Sequence, residues 1–184
     1  NAGTAPAPYN QKGFGGAPIK MTIIDEAGSS TSVVTEFRNL VQRDKVDLIV
    51  GYISSGNCLA IAPVAEELKA LTFLFDCGTP RIFEESAKNY VFRAVNHATA
   101  DSVGAARYLK AKKPNVKNFG GINQNYAWGQ DSWKDFSGAM QVLYPGSTVT
   151  TSQMPKLFAG QYSGEISALT ASRSEVVHTS LWGG

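Results

Sequence analysis

The sequence predicts an α/β fold in which parallel sheets are flanked by helices. Short apolar runs rich in β-branched residues alternate with longer segments whose apolar residues recur at helical spacing. This alternation continues along most of the 184 residues. Strands that alternate with helices pair in parallel through right-handed crossovers, so the pattern indicates parallel sheets.

The first predicted elements follow a loop. Residues 1–16 are rich in Gly, Pro, Ala and Asn and show no periodicity, which is typical of a loop. An apolar run at 19–24 predicts a strand. The Ser and Thr residues at 29–32 are suitable N-caps for a helix. Five apolar residues at helical spacing would form one face of that helix: Val33, Val34, Phe37, Leu40 and Val41.

The next elements continue the alternation. A run at 46–50 that is rich in apolar β-branched residues predicts a strand that is covered on both faces. A helix is predicted over about 57–69, with a bend at Pro63. Shorter apolar runs predict strands at 71–75 and 90–94.

The second half of the chain repeats this order of elements. A helix is predicted over 98–112. Further elements are predicted as strands at 116–122, 147–152 and 176–181 and as helices at about 129–143 and 162–171. Because the same order appears on both sides of residues 110–115, we expect two domains with a boundary near residues 96–100.

Composition and charge exclude several classes of protein. The chain is 43% hydrophobic with a formal net charge of +2, and no apolar run is long enough to span a bilayer. Its basic residues are scattered, so no nucleic-acid partner is predicted. No Cys or His cluster has the spacing of metal ligands, and His97 and His178 are interpreted as ordinary polar or packing residues. We therefore predict no metal and no cofactor.

Three strand ends carry small polar residues that could bind a ligand. They are Ser54-Ser55-Gly56, Cys77-Gly78-Thr79 and the segment 123–129. Ligands of open α/β sheets bind beyond the carboxyl ends of strands, where helix N-termini offer unpaired N–H groups to an anion such as a carboxylate. Tyr126 and Trp128 could then close over the apolar part of the ligand. We expect a binding cleft from the joint occurrence of the three segments.

Each segment alone has a simpler explanation. The serine pair taken alone is better explained by N-capping, with Ser55 as the cap, than by ligand contact. Thr79 before Pro80 is a turn signal, and aromatic residues near a turn usually pack in the core.

The sequence does not predict an enzyme. A nucleophile elbow requires Gly-x-Ser-x-Gly, and the segment that begins at Gly51 and ends at Gly56 has one residue too many. The glycine-rich segment 12–16 precedes a predicted strand instead of following one, so it is neither a dinucleotide fingerprint nor a Walker loop. No catalytic constellation is found.

Several segments resemble the type I periplasmic solute-binding proteins of ABC importers, and more narrowly the branched-chain amino-acid (leucine/isoleucine/valine) binding family. They are Arg43-Asp-Lys-Val-Asp-Leu-Ile-Val-Gly51, Ser54-Ser55-Gly56, Ala60-Ile-Ala-Pro-Val-Ala-Glu-Glu67, Tyr90-Val-Phe-Arg93, Ala105-Ala-Arg-Tyr-Leu109 and Tyr126-Ala-Trp-Gly129. The resemblance covers about residues 10–184 and is strongest from 40 to 130. It implies two α/β lobes that close over a ligand, here an N-terminal lobe at 1–97 and part of a second lobe at 98–184.

The resemblance also implies roles for single residues. Ser55, beside Ser54, would hold the carboxylate of the ligand. Cys77, Gly78 and Thr79 would contact its polar head through the backbone and the threonine hydroxyl. From the second lobe, Trp128 would reach across the cleft, and Trp182 would lie at the next strand end. The usual first strand and helix of the family are absent from the sequence, as is the latter part of the second lobe. We therefore expect a fragment with an incomplete second lobe.

Cys58 and Cys77 lie near neighbouring predicted strand ends. A disulfide between them could form in an oxidising compartment. Two small buried thiols are the favoured interpretation, because Cys58 lies on the opening turn of its helix.

The leading functional hypothesis is a periplasmic, or extracytoplasmic and lipoprotein-anchored, component of an ABC transporter. Its partners would be a small organic acid (a branched-chain or aromatic amino acid, or an aromatic carboxylate) and the membrane subunits of an ABC permease. An alternative is the ligand-sensing domain of a receptor or transcriptional regulator with the same lobes. An α/β enzyme is a third hypothesis, which would require turnover that depends on Ser54 or Ser55.

Overall fold

The computed structural model describes residues 4–26 and 29–182, which contain two three-stranded parallel sheets. In chain order the elements are α1 (Ser30–Gln42), β1 (Ile49–Gly51), α2 (Ser55–Leu68), β2 (Thr72–Leu74), α3 (Arg81–Glu84), β3 (Val91–Arg93), α4 (Ala98–Lys112), β4 (Asn118–Ile122), α5 (Ala127–Leu143), β5 (Thr148–Gln153), α6 (Ser163–Ser172) and β6 (Val177–Thr179). The prediction of an α/β fold with parallel sheets is confirmed.

The first sheet has the strand order β1-β2-β3 and is covered on one face by α1 and α2. Ile49, Thr72 and Val91 are paired in register across the three strands, and all three are buried. From α2, Ile61 and Ala65 are fully buried in the same core. The buried apolar surface of this face is the main stabilising contribution to the first sheet.

The opposite face of the first sheet exposes apolar side chains. Val50, Phe73 and Phe92 are paired in register and are 63%, 38% and 45% exposed, and the rings of Phe73 and Phe92 stack at 5.4 Å. The prediction that the strand at 46–50 is covered on both faces is therefore wrong for the described residues. The apolar run signals a strand that could be buried twice, but it carries no information on whether a second layer is present.

The prediction of a strand at 19–24 is also wrong. These residues belong to neither sheet and have no regular secondary structure, and Met21 and Ile23 are 75% and 83% exposed. An apolar β-branched sequence favours a strand only where a neighbouring strand accepts and donates its backbone hydrogen bonds. The predicted loop is confirmed over the described residues 4–16, and residues 1–3 lie outside them.

The second sheet has the order β5-β4-β6 and packs against α4 and α5. Phe119 of β4 is fully buried beside Phe136 and Met140 of α5. Gly121 of β4 leaves room for the ring of Trp133, because an added β-carbon would lie 2.5 Å from it. The sixth helix, α6, contacts β4 and β5 and has no buried residue.

The predicted helices agree closely with the structure. The helix at 98–112 has the predicted bounds, and Ser29 caps α1 by accepting a hydrogen bond from the N–H of Ser32. Most strands are shorter than predicted, because the apolar runs extend past the paired residues. The short helix α3 was not predicted. None of the helices in the described ranges is long and apolar enough to cross a membrane.

Candidate functional site

A cavity of about 360 Å³ lies at the carboxyl ends of the strands. It is lined by Ile53, Ser55, Asp76, Gly78, Val95, Asn96, Asp101, Tyr126, Trp128 and Trp182. Each of these residues follows a strand of the first or second sheet, which is where α/β folds place ligand sites. The cavity is within the size range of small-molecule sites.

Ser55 forms part of the wall that the first sheet contributes. The residue is 2% exposed, and its Oγ accepts a hydrogen bond of 3.2 Å from the backbone N–H of Thr79. Because the oxygen accepts from inside the protein, the hydroxyl proton remains to be donated into the cavity. Ser55 is thus suited to hold a carboxylate.

The N-cap of α2 is Ser54, so the expectation that Ser55 is the cap is wrong. Ser54 makes no side-chain capping bond. The carboxylate of Glu26 instead accepts hydrogen bonds from the backbone N–H groups of Ile53 at 2.7 Å and Ser54 at 3.1 Å. It also accepts one from Nδ2 of Asn57 at 2.9 Å. Two of the N–H groups that precede α2 are therefore already used by a residue distant in sequence.

The turn after β2 is fixed by hydrogen bonds to α5 and to β3. The hydroxyl of Thr79 donates a 2.6 Å hydrogen bond to Oδ2 of Asp131 in α5, and Nε of Arg81 lies 3.2 Å from the same oxygen. The guanidinium of Arg93 donates to the carbonyls of Cys77 and Thr79. These bonds fix the turn and link it to α5.

Cys58 and Cys77 form a disulfide, with a Cα–Cα distance of 6.3 Å. The favoured interpretation of two free buried thiols is therefore wrong. The turn after β2 brings Cys77 over the first turn of α2, a contact between segments 19 residues apart that the sequence does not indicate. The disulfide ties α2 to the turn that contains Gly78 and Thr79.

Aromatic rings form the wall that the second sheet contributes. The ring of Trp128 packs against Gly78, and its Nε1 donates to the carbonyl of Ser180 at 3.2 Å. Nε1 of Trp182 donates to the hydroxyl of Tyr126, and the two ring centroids are 6.3 Å apart. Both indole N–H groups are thus used within the protein, and the rings present apolar surface to the cavity.

Burial is the main reason that the pKa of Tyr126 is raised to about 12. The hydrogen bond from Trp182 acts in the opposite direction, and the negative charge of Asp76 raises the pKa further. Tyr126 therefore remains a neutral phenol whose own proton can be donated.

The structure brings together five of the eight residues predicted for the site. Ser55, Gly78, Tyr126, Trp128 and Trp182 line the cavity. The other three do not line the cavity but adjoin Ser55 or Gly78 in the chain: Ser54 is the N-cap of α2, Cys77 is in the disulfide and Thr79 is bonded to Asp131.

Sequence reasoning missed five lining residues, namely Ile53, Asp76, Val95, Asn96 and Asp101. Asp76 directly precedes Cys77-Gly78, and Val95 and Asn96 follow β3, so the rule that ligands bind beyond strand ends could have found them. Asp101 lies in the first turn of α4, and its Oδ1 accepts a 2.6 Å hydrogen bond from Asn96. Among the described residues, no group of three or more His, Cys, Asp or Glu is arranged to hold a metal ion.

Solved structures with the same fold are numerous. A solute-binding protein of an ABC transporter from R. palustris in complex with 4-hydroxybenzoate is 22% identical with a TM-score of 0.78, over 88% of this chain and 42% of that one. A second R. palustris solute-binding protein, in complex with benzoate, is 17% identical with a TM-score of 0.85; the match covers 92% of this chain and 46% of that one. A leucine-binding protein from Thermotoga maritima is 18% identical with a TM-score of 0.76; the match covers 89% of this chain and 45% of that one.

The chain thus spans less than half the length of these three structures. No match was found among curated proteins. Residues 7–184 match the sequence profile of the periplasmic binding proteins, a family of binding proteins and not of enzymes. The chain belongs to the periplasmic binding protein family.

Proposed function

We propose that this chain is part of an extracytoplasmic solute-binding component of an ABC transporter. It captures a small carboxylate, an amino acid or an aromatic acid, and presents it to the membrane subunits of an ABC permease. The observation that supports this most is the cavity, which has the buried hydroxyl of Ser55 on one wall and the rings of Trp128 and Trp182 on the other. A hydroxyl donor and aromatic surface together match a ligand with one anionic and one apolar part.

The two sheets are proposed to belong to two lobes, at residues 1–97 and 98–184, that close over the ligand. The bonds of Asp131 in α5 to Thr79 and Arg81, and the packing of Trp128 on Gly78, support this division. They are the kind of contacts that form when one lobe closes on another around a ligand.

The proposed location is the periplasm, or the outer face of a membrane to which a lipid anchor attaches the protein. The Cys58–Cys77 disulfide supports it, because disulfides persist in oxidising compartments. The ligands of the solved relatives, which are 4-hydroxybenzoate and benzoate, support the proposed ligand class, as does the leucine-binding protein.

Isothermal titration calorimetry of the chain with leucine, phenylalanine, benzoate and 4-hydroxybenzoate tests the proposal. At least one of these compounds is expected to bind. The substitution Ser55→Ala should make its free energy of binding less favourable by about 1.5–3 kcal/mol, the contribution of a hydrogen bond to a charged group. Ser167→Ala is the matched control, because Ser167 is exposed in α6 and its hydroxyl bonds only to the carbonyl of Ser163. If none of the four compounds binds, or if Ser55→Ala binds as tightly as the parent, the proposal fails.

A further inference from the structure

The turn after β2 and helix α5 are joined by a contact outside the cavity. Asp131 of α5 accepts the 2.6 Å hydrogen bond from the hydroxyl of Thr79, and the same carboxylate oxygen lies 3.2 Å from Nε of Arg81. None of these three residues lines the cavity. We call the three residues the latch, because they connect the first sheet to a helix of the second through protein atoms alone.

The latch is buried, which strengthens its bonds. Thr79 is fully buried and Asp131 is 8% exposed, whereas the side chain of Arg81 is 34% exposed. Water competes little for a buried hydrogen bond to a charged group, and one such bond shifts a two-state equilibrium by about tenfold to a hundredfold. The latch can therefore favour the joined arrangement of the two sheets without a contribution from a ligand.

The partner that the first sheet supplies is held in place by other bonds. The Cys58–Cys77 disulfide ties the turn after β2 to α2, and the guanidinium of Arg93 donates to the carbonyls of Cys77 and Thr79. Because these bonds lie within the first sheet and its helices, they do not require that α5 be close. Little conformational entropy is then lost when Thr79 meets Asp131, since one partner is already ordered.

We propose that the latch is a conformational device that holds the two sheets together around the cavity before a ligand binds. A ligand enters during transient opening of the latch and selects a closed form that is already populated. This inference rests on the two lobes of the proposed function but is independent of which ligand they bind. Weakening the latch lowers the fraction of closed molecules, and with it the apparent affinity for every ligand of the cavity.

Distance measurements on the chain without added ligand test the inference. Thr35 of α1 and Lys134 of α5 are exposed, so spin labels on cysteines at these two positions report how far apart the two sheets are. Pulsed electron paramagnetic resonance should give one narrow distance distribution for the parent. In Asp131→Ala a second, longer distance should include at least a fifth of the molecules. Small-angle X-ray scattering of the unlabelled proteins should show the same opening as a larger radius of gyration.

A second bond of α5 provides the matched control. Oδ2 of Asp135 accepts a 2.6 Å hydrogen bond from the hydroxyl of Thr99 in α4, and both helices pack on the second sheet. Asp135→Ala removes a bond of the same length from the same helix, so it should lower the stability but leave the distance distribution unchanged. Asp131→Asn keeps the size of the side chain and loses its charge, so it should open a smaller fraction than Asp131→Ala, and it decides the matter if the alanine variant does not fold.

Two results would overturn the inference. One is a parent chain that already populates the longer distance to the same extent as the Asp131 variants. The other is a shift in Asp135→Ala as large as that in Asp131→Ala, which would make the opening a general effect of lost stability. The proposed function is tested separately by calorimetry, and a failure to bind any of its four compounds would leave the distances, and the inference drawn from them, unchanged.

Discussion

The indole ring of Trp128 lies against the backbone of Gly78, so that a β-carbon at position 78 would come within 2.1 Å of Cζ3 of the ring. Gly78 follows β2 of the first sheet, and Trp128 lies in the first turn of α5 beside the second. The close approach of the two sheets at the cavity therefore depends on the absence of a side chain at Gly78.

Replacing Gly78 with alanine should displace the Trp128 ring and open the cavity. We expect Gly78→Ala to raise the Kd for a bound ligand at least tenfold, because the aromatic wall can no longer reach it. Gly138→Ala is the control. An alanine there has open space and lies inside α5, so it should stabilise the fold by about 0.5–1 kcal/mol and leave binding unchanged. Equal affinities for Gly78→Ala and the parent would mean that this contact does not shape the site.

The hydrogen bond from Thr79 to Asp131 should stabilise the arrangement of the two sheets. Thr79 is fully buried and Asp131 is 8% exposed. The substitution Thr79→Val keeps the shape of the side chain but removes one hydrogen-bond donor from the buried carboxylate of Asp131. The free energy of unfolding should therefore fall by about 1–3 kcal/mol. Thr170→Val provides the comparison, because the hydroxyl of Thr170 bonds only to the carbonyl of Ile166 on an exposed helix. Chemical denaturation measures both, and a loss no larger than that of Thr170→Val would contradict the prediction.

The Cys58–Cys77 disulfide should contribute to both stability and binding. It closes a loop between residues 19 apart, for which the lost chain entropy predicts about 3 kcal/mol. The double variant Cys58→Ala, Cys77→Ala should lower the free energy of unfolding by about that amount and weaken ligand binding, because the turn after β2 is released from α2. The parent protein under reducing conditions should behave in the same way. If reduction changes neither quantity, the disulfide has no role in holding the wall.

The stability of the chain should depend on pH through His178. Its ring stacks on Phe136 at 4.3 Å, and burial lowers its pKa to about 4 from an ordinary value near 6.5. The unfolded chain takes up this proton below pH 6.5 and the folded chain only near pH 4, so stability from this group is fully present above pH 6.5. It is lost as the pH falls from 6.5 to about 4.

We expect the variant His178→Phe, which keeps an aromatic ring beside Phe136, to lose less stability than the parent between pH 7 and pH 4.5. The difference should be on the order of 2 kcal/mol in denaturant titrations at the two pH values. Several carboxylates also titrate at low pH, and the comparison between parent and variant removes their contribution. Identical pH dependences would show that His178 is not the group responsible.

The uncovered face of the first sheet should bind hydrophobic dyes. Val50, Phe73 and Phe92 are neighbours on three adjacent strands and are all exposed in the described structure. Exposed apolar patches of this kind mark surfaces that associate with other groups. The chain should bind anilinonaphthalene sulfonate, and Phe73→Thr with Phe92→Thr should reduce the fluorescence while the far-ultraviolet circular dichroism is retained. Dye binding that is unchanged in the double variant would place the apolar surface elsewhere.

Sequence patterns predicted the fold well where the determinants are local. The helix at 98–112 has its predicted bounds, and Ser29, one of the N-cap candidates at 29–32, caps α1. Both features depend on residues close together in sequence. The strand predicted at 19–24 depends on a partner strand, and the burial of the strand at 46–50 depends on a second layer. Neither condition can be read from the segment itself.

Prediction of the site from sequence was likewise limited to features that depend on local sequence. Positions after strand ends could be identified, since parallel strands end at one edge of a sheet, and five of the predicted residues line the cavity. The Cys58–Cys77 bond, the use of two N–H groups by Glu26 and the bond from Thr79 to Asp131 join segments far apart in sequence. Their formation depends on how the loops approach each other, which periodicity does not encode.

Ser55 is proposed to bind the carboxylate of a ligand held between the two walls of the cavity. A crystal structure of the chain with the acid that binds most tightly tests this role most directly. We expect a carboxylate oxygen about 2.5–3.0 Å from Oγ of Ser55, with the remainder of the ligand against Trp128 and Trp182. A ligand bound outside this cavity, or one whose carboxylate does not contact Ser55, would show that Ser55 does not have this role.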